Sequence, residues 1–287
     1  MAETVTDTVT APTPNKLSPE LTRRIATGVV GIALLLALVI WGGTIGIFLI
    51  ATVLSLAMTD EFARMVYRLP DHEEKRYVLL FAAWFVAVGS LLVGGEYELL
   101  IFCFLALFTY FLFSSRRHAE ELNPHFKELM FSIFGLLYLA LLPTYLPKIH
   151  GANWGVLWTI EFFLINWATD TGAYFAGKKY GKVKLYPLIS PKKTREGALG
   201  GLATALVVTL AFKLIFFHAM PWLAVIFVPL VVGTVAQIGD LCESLLKRAF
   251  DVKDSGSILP GHGGFLDRFD GVVFSLPIMY ACIRLFT

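Results

Sequence analysis

A segment dense in charges lies between two strongly apolar stretches near the C-terminus, at residues 244–270, SLLKRAFDVKDSGSILPGHGGFLDRFD. Charged side chains beside hydrocarbon are costly, and packing alone does not require so many of both signs. Chemistry on a charged substrate at a membrane surface would require them. The ionisable residues of this segment are Lys247, Arg248, Lys253, Asp254, His262, Asp267, Arg268 and Asp270.

The residues just before and at the start of this segment form one polar face on a predicted helix. At about 100° per residue, their side chains fall within a sector of about 120°. That sector would be costly against lipid, so it must face protein or water. Its members are Gln237, Asp240, Glu243, Ser244 and Lys247.

The carboxylates of this region resemble a magnesium site. Asp240, Asp267 and Asp270 are predicted at one membrane face, and Mg²⁺ prefers one or two carboxylates with water and substrate phosphate oxygens. His262 stands without a second residue at zinc-ligand spacing, and both a structural role and substrate contact remain open for it. Gly263 and Gly264 permit close approach of the backbone to a ligand.

A second polar cluster precedes a basic loop. Asn166, Asp170 and Tyr174 recur at every fourth position and would form one stripe on a helix. Asp170 lies near the inner end of this predicted span. It is either part of a substrate site or a carboxylate paired with a nearby lysine at the interface, and the basic loop is also compatible with contact to anionic lipid.

A third cluster, SPKKTREGALGG at residues 190–201, combines cations with a predicted helix start. Ser190 or Thr194 can cap a helix that begins near Glu196. Cations at a helix N-terminus are poorly placed for stability, but with free backbone N–H groups they can hold an anion. The cations in question are Lys192, Lys193 and Arg195.

The composition predicts an all-α polytopic membrane protein, since 56% of the 287 residues are hydrophobic and only 16% are charged, against about 25% charged in soluble domains. All but three of the 24 Lys and Arg residues fall on one side of the predicted spans, which places the N-terminus in the cytoplasm and the C-terminus outside. The exceptions are Lys148, Lys213 and Arg284. Nine spans are predicted, at about 25–42, 44–59, 77–94, 98–113, 129–147, 154–176, 198–218, 221–246 and 271–286.

The distribution of apolar spans and charged loops divides the chain into three predicted regions. Residues 1–23 are predicted to be a disordered polar tail, residues 24–150 an N-terminal transmembrane region, and residues 151–287 a catalytic transmembrane region with two cytoplasmic active-site loops. Glu61 lies close to the inner end of the second predicted span. The favoured interpretation is an ordinary helix end, with a functional role as the alternative.

Residues 244–270 resemble the signature of the phosphatidate cytidylyltransferases (CDP-diacylglycerol synthases), especially the bacterial type. Residues 170–174 and 190–197 are also similar to segments of that family. Within the signature, the matching positions are Ser244, Lys247-Arg248, Lys253-Asp254, Gly256, Pro260, His262-Gly263-Gly264, Asp267-Arg268 and Asp270.

The resemblance implies an enzyme of the cytoplasmic membrane that transfers CMP from CTP to phosphatidate, with its active site at the cytoplasmic face and without nucleic acid. It implies Mg²⁺ as cofactor, leaves room for a second, monovalent cation, and is compatible with a homodimer. Asp240 and Asp267 would hold the metal, with Glu243 and Asp270 as further ligands or supports of the ligands.

The remaining roles implied by the resemblance concern the substrates. Phosphate charge would be neutralised by Lys247, Arg248 and Arg268, and the triphosphate or lipid headgroup would be held by Lys192, Lys193 and Arg195. Further substrate contacts are expected from Asp170, Tyr174, Ser190, Ser244, Lys253, His262, Gly263 and Gly264.

Three other classes of protein compete with this interpretation. A transporter or channel also places charges inside spans, but near the midplane rather than at one edge. The second class is another membrane lipid enzyme. A polyprenol kinase would use a similar site with a different product, whereas the motif of the CDP-alcohol phosphotransferases is absent from the sequence. A scaffold protein would leave the charged face of the eighth predicted span unexplained.

Overall fold

Backbone polar groups inside a bilayer must be satisfied within the chain, which favours helices in a protein this apolar. The computed structural model describes residues 19–68, 73–115, 122–258 and 263–287, with side chains from residue 26 onward. Within these ranges the chain forms ten α-helices and one two-stranded hairpin. The helices are α1 (Pro19–Trp41), α2 (Gly43–Val66), α3 (Glu73–Leu92), α4 (Glu96–Ser114), α5 (Leu122–Gly135), α6 (Tyr145–His150), α7 (Gly155–Tyr180), α8 (Arg195–Ile215), α9 (Trp222–Ala249) and α10 (Leu266–Phe286).

Seven helical segments in the described ranges are long and apolar enough to cross a membrane, so the chain is an all-α polytopic membrane protein. They are α2, α3, α4, α8, α9, α10 and the continuous stretch Leu122–His150. The apolar part of α1 is shorter, at Ala26–Trp41. α7 is long, but Glu161, Asn166 and Asp170 interrupt its apolar sequence.

The stretch Leu122–His150 is bent between α5 and α6. A π-helical turn at Leu136–Leu141 is followed by a 3₁₀ turn at Leu142–Thr144. Pro143, which has no N–H to donate, lies in the second turn. The bend places the buried Tyr138 ring against Phe274 of α10, with ring centroids 5.9 Å apart. This region therefore supports the helix that carries Asp267 and Asp270.

α7 and α8 approach each other closely because small residues line their contact. A Cβ added at Gly200 would come within 2.2 Å of Ala176 Cβ, and one at Gly172 within 2.2 Å of Thr204 Oγ1. This packing brings Asp170 on α7 beside the start of α8.

The loop between α7 and α8 contains an antiparallel hairpin, β1 (Lys184–Tyr186) paired with β2 (Ser190–Thr194). The sequence predicted only a loop here. The predicted cap at Thr194 is confirmed, since its Oγ1 accepts a hydrogen bond from Gly197 N at 3.1 Å. Ser190 lies in β2 and is not the cap. Glu196 Oε2 accepts a bond from Lys182 N at 3.0 Å and so fastens the hairpin to α8.

Candidate active site

Three carboxylates from α9 and α10 meet at one point. Oxygen atoms of Asp240, Glu243 and Asp270 all lie within 4.8 Å of one another. α9 and α10 can approach this closely because a Cβ at Gly239 would lie only 3.1 Å from Gly271 Cα. The cluster combines two residues one turn apart on α9 with one residue from the first turns of α10.

The donor set of this cluster fits a magnesium ion. Glu243 is 1% exposed and Asp270 is 8% exposed. Glu243 Oε1 is buried and has no hydrogen-bond partner among the residues that the structure describes. Burial of such an acceptor is costly unless something binds it. Carboxylate oxygens are ligands that Mg²⁺ favours, so these three residues could hold the ion.

Lys247 joins this cluster to Asp267. Its Nζ lies 2.7 Å from Glu243 Oε2 and 2.6 Å from Asp267 Oδ1. Asp267 Oδ2 accepts hydrogen bonds from the backbone N–H groups of Ser255 and Gly264, each at 3.0 Å. Asp267 is thus held by Lys247 and the loop before α10, and lies outside the group of three carboxylates that meet within 4.8 Å.

The hairpin contacts the cluster through a cation. Lys193 on β2 forms an ion pair with Asp240. Arg248 extends from the end of α9 to the hairpin turn, where its Nε donates to Ile189 O at 3.4 Å. The two polar loops of the second half of the chain, which the sequence predicted as active-site loops, therefore converge on one side of the bundle.

A cavity of about 920 Å³ opens beside the cluster and has two chemically different ends. At one end its walls are aliphatic side chains of α1 and α2, among them Leu34, Leu38 and Val53. The other end is polar. Ionisable and polar residues there are Asp170, Tyr174, Lys178, Lys192, Lys193, Gln237, Asp240, Asp267, Arg268 and Asp270.

Some of the other predicted site residues line this cavity and others do not. Asn166, from the predicted stripe on α7, is buried and accepts a bond from Ser275 Oγ at 3.4 Å, while Asp170 and Tyr174 of the same stripe line the cavity. His262 lies outside the residues that the structure describes. The described cavity wall does not include Ser190, Arg195, Glu243, Ser244, Lys247, Arg248, Lys253, Gly263 or Gly264.

Glu61 on α2 is the site-proximal residue that sequence reasoning set aside. The favoured interpretation as an ordinary helix end is wrong, because the side chain is 1% exposed and binds the loop before α10. It accepts hydrogen bonds from Phe265 N and Leu266 N, each at 2.8 Å, and from Ser255 Oγ at 3.0 Å. The only signal in the sequence was an acidic residue close to the inner end of an apolar span.

Comparison with known proteins identifies the family of the chain. A family model described as "Cytidylyltransferase family" matches residues 22–286. The chain is 39% identical over 194 residues to a phosphatidate cytidylyltransferase of Bacillus subtilis, covering 67% of this chain and 70% of that protein. It is 39% identical over 192 residues to the one of Staphylococcus saprophyticus, covering 67% and 70%. It is 52% identical over 126 residues to the one of Staphylococcus aureus, covering 44% and 48%. With nearly its whole length matched, the chain belongs to the cytidylyltransferase family.

Proposed function

We propose that this protein is a phosphatidate cytidylyltransferase, which converts CTP and phosphatidate into CDP-diacylglycerol and diphosphate for phospholipid biosynthesis. The observation that carries the proposal is the cavity with one aliphatic and one charged end. A lipid phosphate has the same division between acyl chains and an anionic headgroup. The relatives named above give the reaction its identity.

The two ends of the cavity suit the two substrates. Acyl chains can pack against the side chains of α1 and α2. These side chains are aliphatic, so they can contact hydrocarbon without burying a polar group. The lipid phosphate and the triphosphate of CTP then meet near Lys192, Lys193 and Arg268. In such transfers, catalysis comes mainly from positioning and from neutralising charge, and cations near the reacting phosphates do both.

In the reaction, an oxygen of the lipid phosphate attacks the α-phosphorus of CTP. A new P–O bond forms, the bond from the α-phosphorus to its bridging oxygen breaks, and diphosphate leaves with that oxygen and its electron pair. Since a phosphate monoester has a second pKa of about 6, the attacking oxygen is already deprotonated near neutral pH. The site therefore needs cations to bring the anions together more than it needs a strong base.

Asp240, Glu243 and Asp270 would hold Mg²⁺ in this proposal. When bound, the ion would neutralise phosphate charge and stabilise the charge that develops on the leaving diphosphate. Lys247 would hold Asp267 and Glu243 in place beside it. Three further points stay predictions. They are direct ligation of the metal by Asp267, binding of a second cation that is monovalent, and assembly of a homodimer.

The proposed topology has nine crossings, with the N-terminus and the active site at the cytoplasmic face of the cytoplasmic membrane and the C-terminus outside. If α1 and α7 also cross the membrane, successive crossings alternate in direction, and two contacts between helix ends support this topology. At one face, Arg68 after α2 contacts Phe250 after α9. At the other face, Lys148 near the end of α6 pairs with Glu96 at the start of α4. The basic hairpin loop would then lie in the cytoplasm, as the positive-inside rule requires.

The deciding experiment uses purified protein in detergent with phosphatidate and two forms of CTP, labelled in the cytidine or at the γ-phosphate. We expect cytidine label to enter a chloroform-soluble lipid only when Mg²⁺ is present, and γ-label to appear as diphosphate. Transfer of γ-label to lipid would identify a kinase instead. A folded protein that transfers neither label would refute the proposal.

A further inference from the structure

The start of α10 has no capping side chain of its own. Its N-cap position is Phe265, which makes no side-chain cap bond, although the first N–H groups of a helix need partners. Here the partners come from elsewhere in the chain. Glu61 Oε1 accepts from Phe265 N, and Glu61 Oε2 accepts from Leu266 N, both at 2.8 Å. Glu61 therefore caps this helix from α2, about 200 positions away along the chain.

Ser255 connects this cap to the site. Its Oγ lies 3.0 Å from Glu61 Oε2 and 3.0 Å from Asp267 Oδ2. The same Oγ accepts a bond from Asp267 N at 3.3 Å. Because a hydroxyl has a single proton, Ser255 can donate to Glu61 while it accepts from Asp267 N, and so it links α2 to the aspartate that pairs with Lys247. A shift of Glu61 would be transmitted to Asp267 through a single side chain.

Two glycines let the backbone approach the Glu61 carboxylate closely. A Cβ at Gly256 would lie 2.4 Å from Glu61 Oε1. A Cβ at Gly264 would lie 2.7 Å from Glu61 Oε2 and 2.7 Å from Asp267 Oδ2. Gly263 has a φ of +85°, which favours glycine. The loop is shaped to surround the two carboxylates.

Stability alone gives little reason for a buried carboxylate here. A local capping side chain at position 265, such as Ser, Thr, Asp or Asn, would serve the helix start without a buried glutamate from a distant helix. Glu61 instead directs all three of its hydrogen bonds to the loop and helix that carry Asp267 and Asp270. This concentration on one functional segment separates it from a general packing residue.

We propose that Glu61 is a positioning residue for nucleotidyl transfer. It fixes the first turn of α10 so that Asp267 meets Lys247 and Asp270 meets the carboxylates of α9. The inference rests on the proposed function, because the step that it assists is the one proposed above. Glu61 is not part of the described cavity wall and acts through the segment it holds.

The test compares Glu61→Gln with wild type by steady-state kinetics and by hydrogen exchange of the peptide covering residues 263–270. Gln keeps the volume, but its NH₂ group would face a backbone N–H donor. Because loss of an outer partner of a metal site typically costs 10–100-fold, we expect kcat to fall by about that factor. Little change is expected in the KM for CTP or phosphatidate. The amides of Phe265 and Leu266 should exchange faster.

Glu161→Gln is the matched control. Glu161 is also fully buried, but it accepts its bond from Thr209 on α8, at 2.5 Å, and has no part in the cap. It should retain wild-type kcat and wild-type exchange at residues 263–270. If Glu61→Gln does not fold, Ser255→Ala takes its place, since it removes only the bridging hydroxyl. Its kcat should fall by about tenfold, the lower end of that range, in a protein that still folds.

The outcomes separate the two proposals. Wild-type protein without cytidylyltransferase activity would overturn the proposed function itself. Active wild-type protein together with unchanged kcat in Glu61→Gln, or in Ser255→Ala where the first does not fold, would overturn only the positioning role. A lower melting temperature with normal kcat would mark Glu61 as purely structural and would also overturn it.

Discussion

Replacement of Lys247 by Met removes a cation that bridges two carboxylates of the site. Lys247 is 14% exposed, and its Nζ lies within 2.7 Å of both Glu243 and Asp267. Met keeps most of the apolar stem, so the packing changes little. Glu243 and Asp267 then face each other without the counter-ion they shared.

The size of the effect follows from burial. Removing one partner of a buried ion pair typically costs about 3–5 kcal/mol. Glu243 is 1% exposed and bears this cost nearly in full, whereas Asp267 keeps its bonds from Ser255 and Gly264. We therefore expect a loss toward the lower end of that range, about 3 kcal/mol. At about 2–4 °C per kcal/mol, the melting temperature should fall by about 6–12 °C.

The assay is thermal unfolding in detergent, followed by tryptophan fluorescence and carried out with a chelator so that bound metal does not contribute. The double variant Lys247→Met/Glu243→Gln is the informative partner, because it removes the uncompensated charge as well. Its melting temperature should recover most of the loss. Lys179→Met, at an exposed position, serves as the control and should melt like wild type.

Two results would refute this reasoning. Melting of Lys247→Met within about 2 °C of wild type, less than 1 kcal/mol on this scale, would mean that the bridge contributes nothing. The loss of stability in the double variant can also be compared with the losses in Lys247→Met and Glu243→Gln alone. If it equals their sum, Lys247 and Glu243 are not coupled. Either result would also remove the physical reason for assigning Lys247 a supporting role at the site.

Further predictions concern the other parts of the site. Asp270→Asn should abolish Mg²⁺-dependent transfer while the protein still purifies as a folded species, and retained activity would remove Asp270 from the metal cluster. Thr194→Ala should cost about 1 kcal/mol through loss of the α8 cap, and should raise the KM for CTP because the adjacent hairpin carries Lys193; an unchanged KM would separate the hairpin from CTP. Val53→Trp should raise the KM for phosphatidate but not for CTP, since it fills the aliphatic end of the cavity; equal changes in both would contradict that assignment.

Local periodicity was sufficient to predict the polar face of α9. Asp240, Glu243 and Lys247 were placed on one side of a helix from their spacing, and the structure confirms that they meet at one cluster. Such a prediction succeeds because the geometry of one helix fixes the relation of residues three and four positions apart. The apolar spans were predicted for the same reason, since their signal lies within each segment.

Contacts between distant segments could not be obtained in this way. Asp267 was predicted to share a metal with Asp240, but its partners Lys247, Ser255 and Gly264 depend on how the loop before α10 folds back. The hairpin was missed because its two strands are short and exposed. The last apolar span was predicted at about residues 271–286, and the structure begins α10 earlier, at Leu266, where Phe265 gives no capping signal.

The distant cap on α10 links formation of the site to assembly of the whole bundle. The first N–H groups of this helix find their acceptors on Glu61 and Ser255, so the helix begins where it does only when α2 is in place. The aliphatic end of the cavity is likewise formed by α1 and α2. Residues on both sides of position 150, where the two predicted transmembrane regions meet, therefore contribute to the cavity and to the cap on α10. The first half completes both the lipid-facing wall and the turn that carries Asp267.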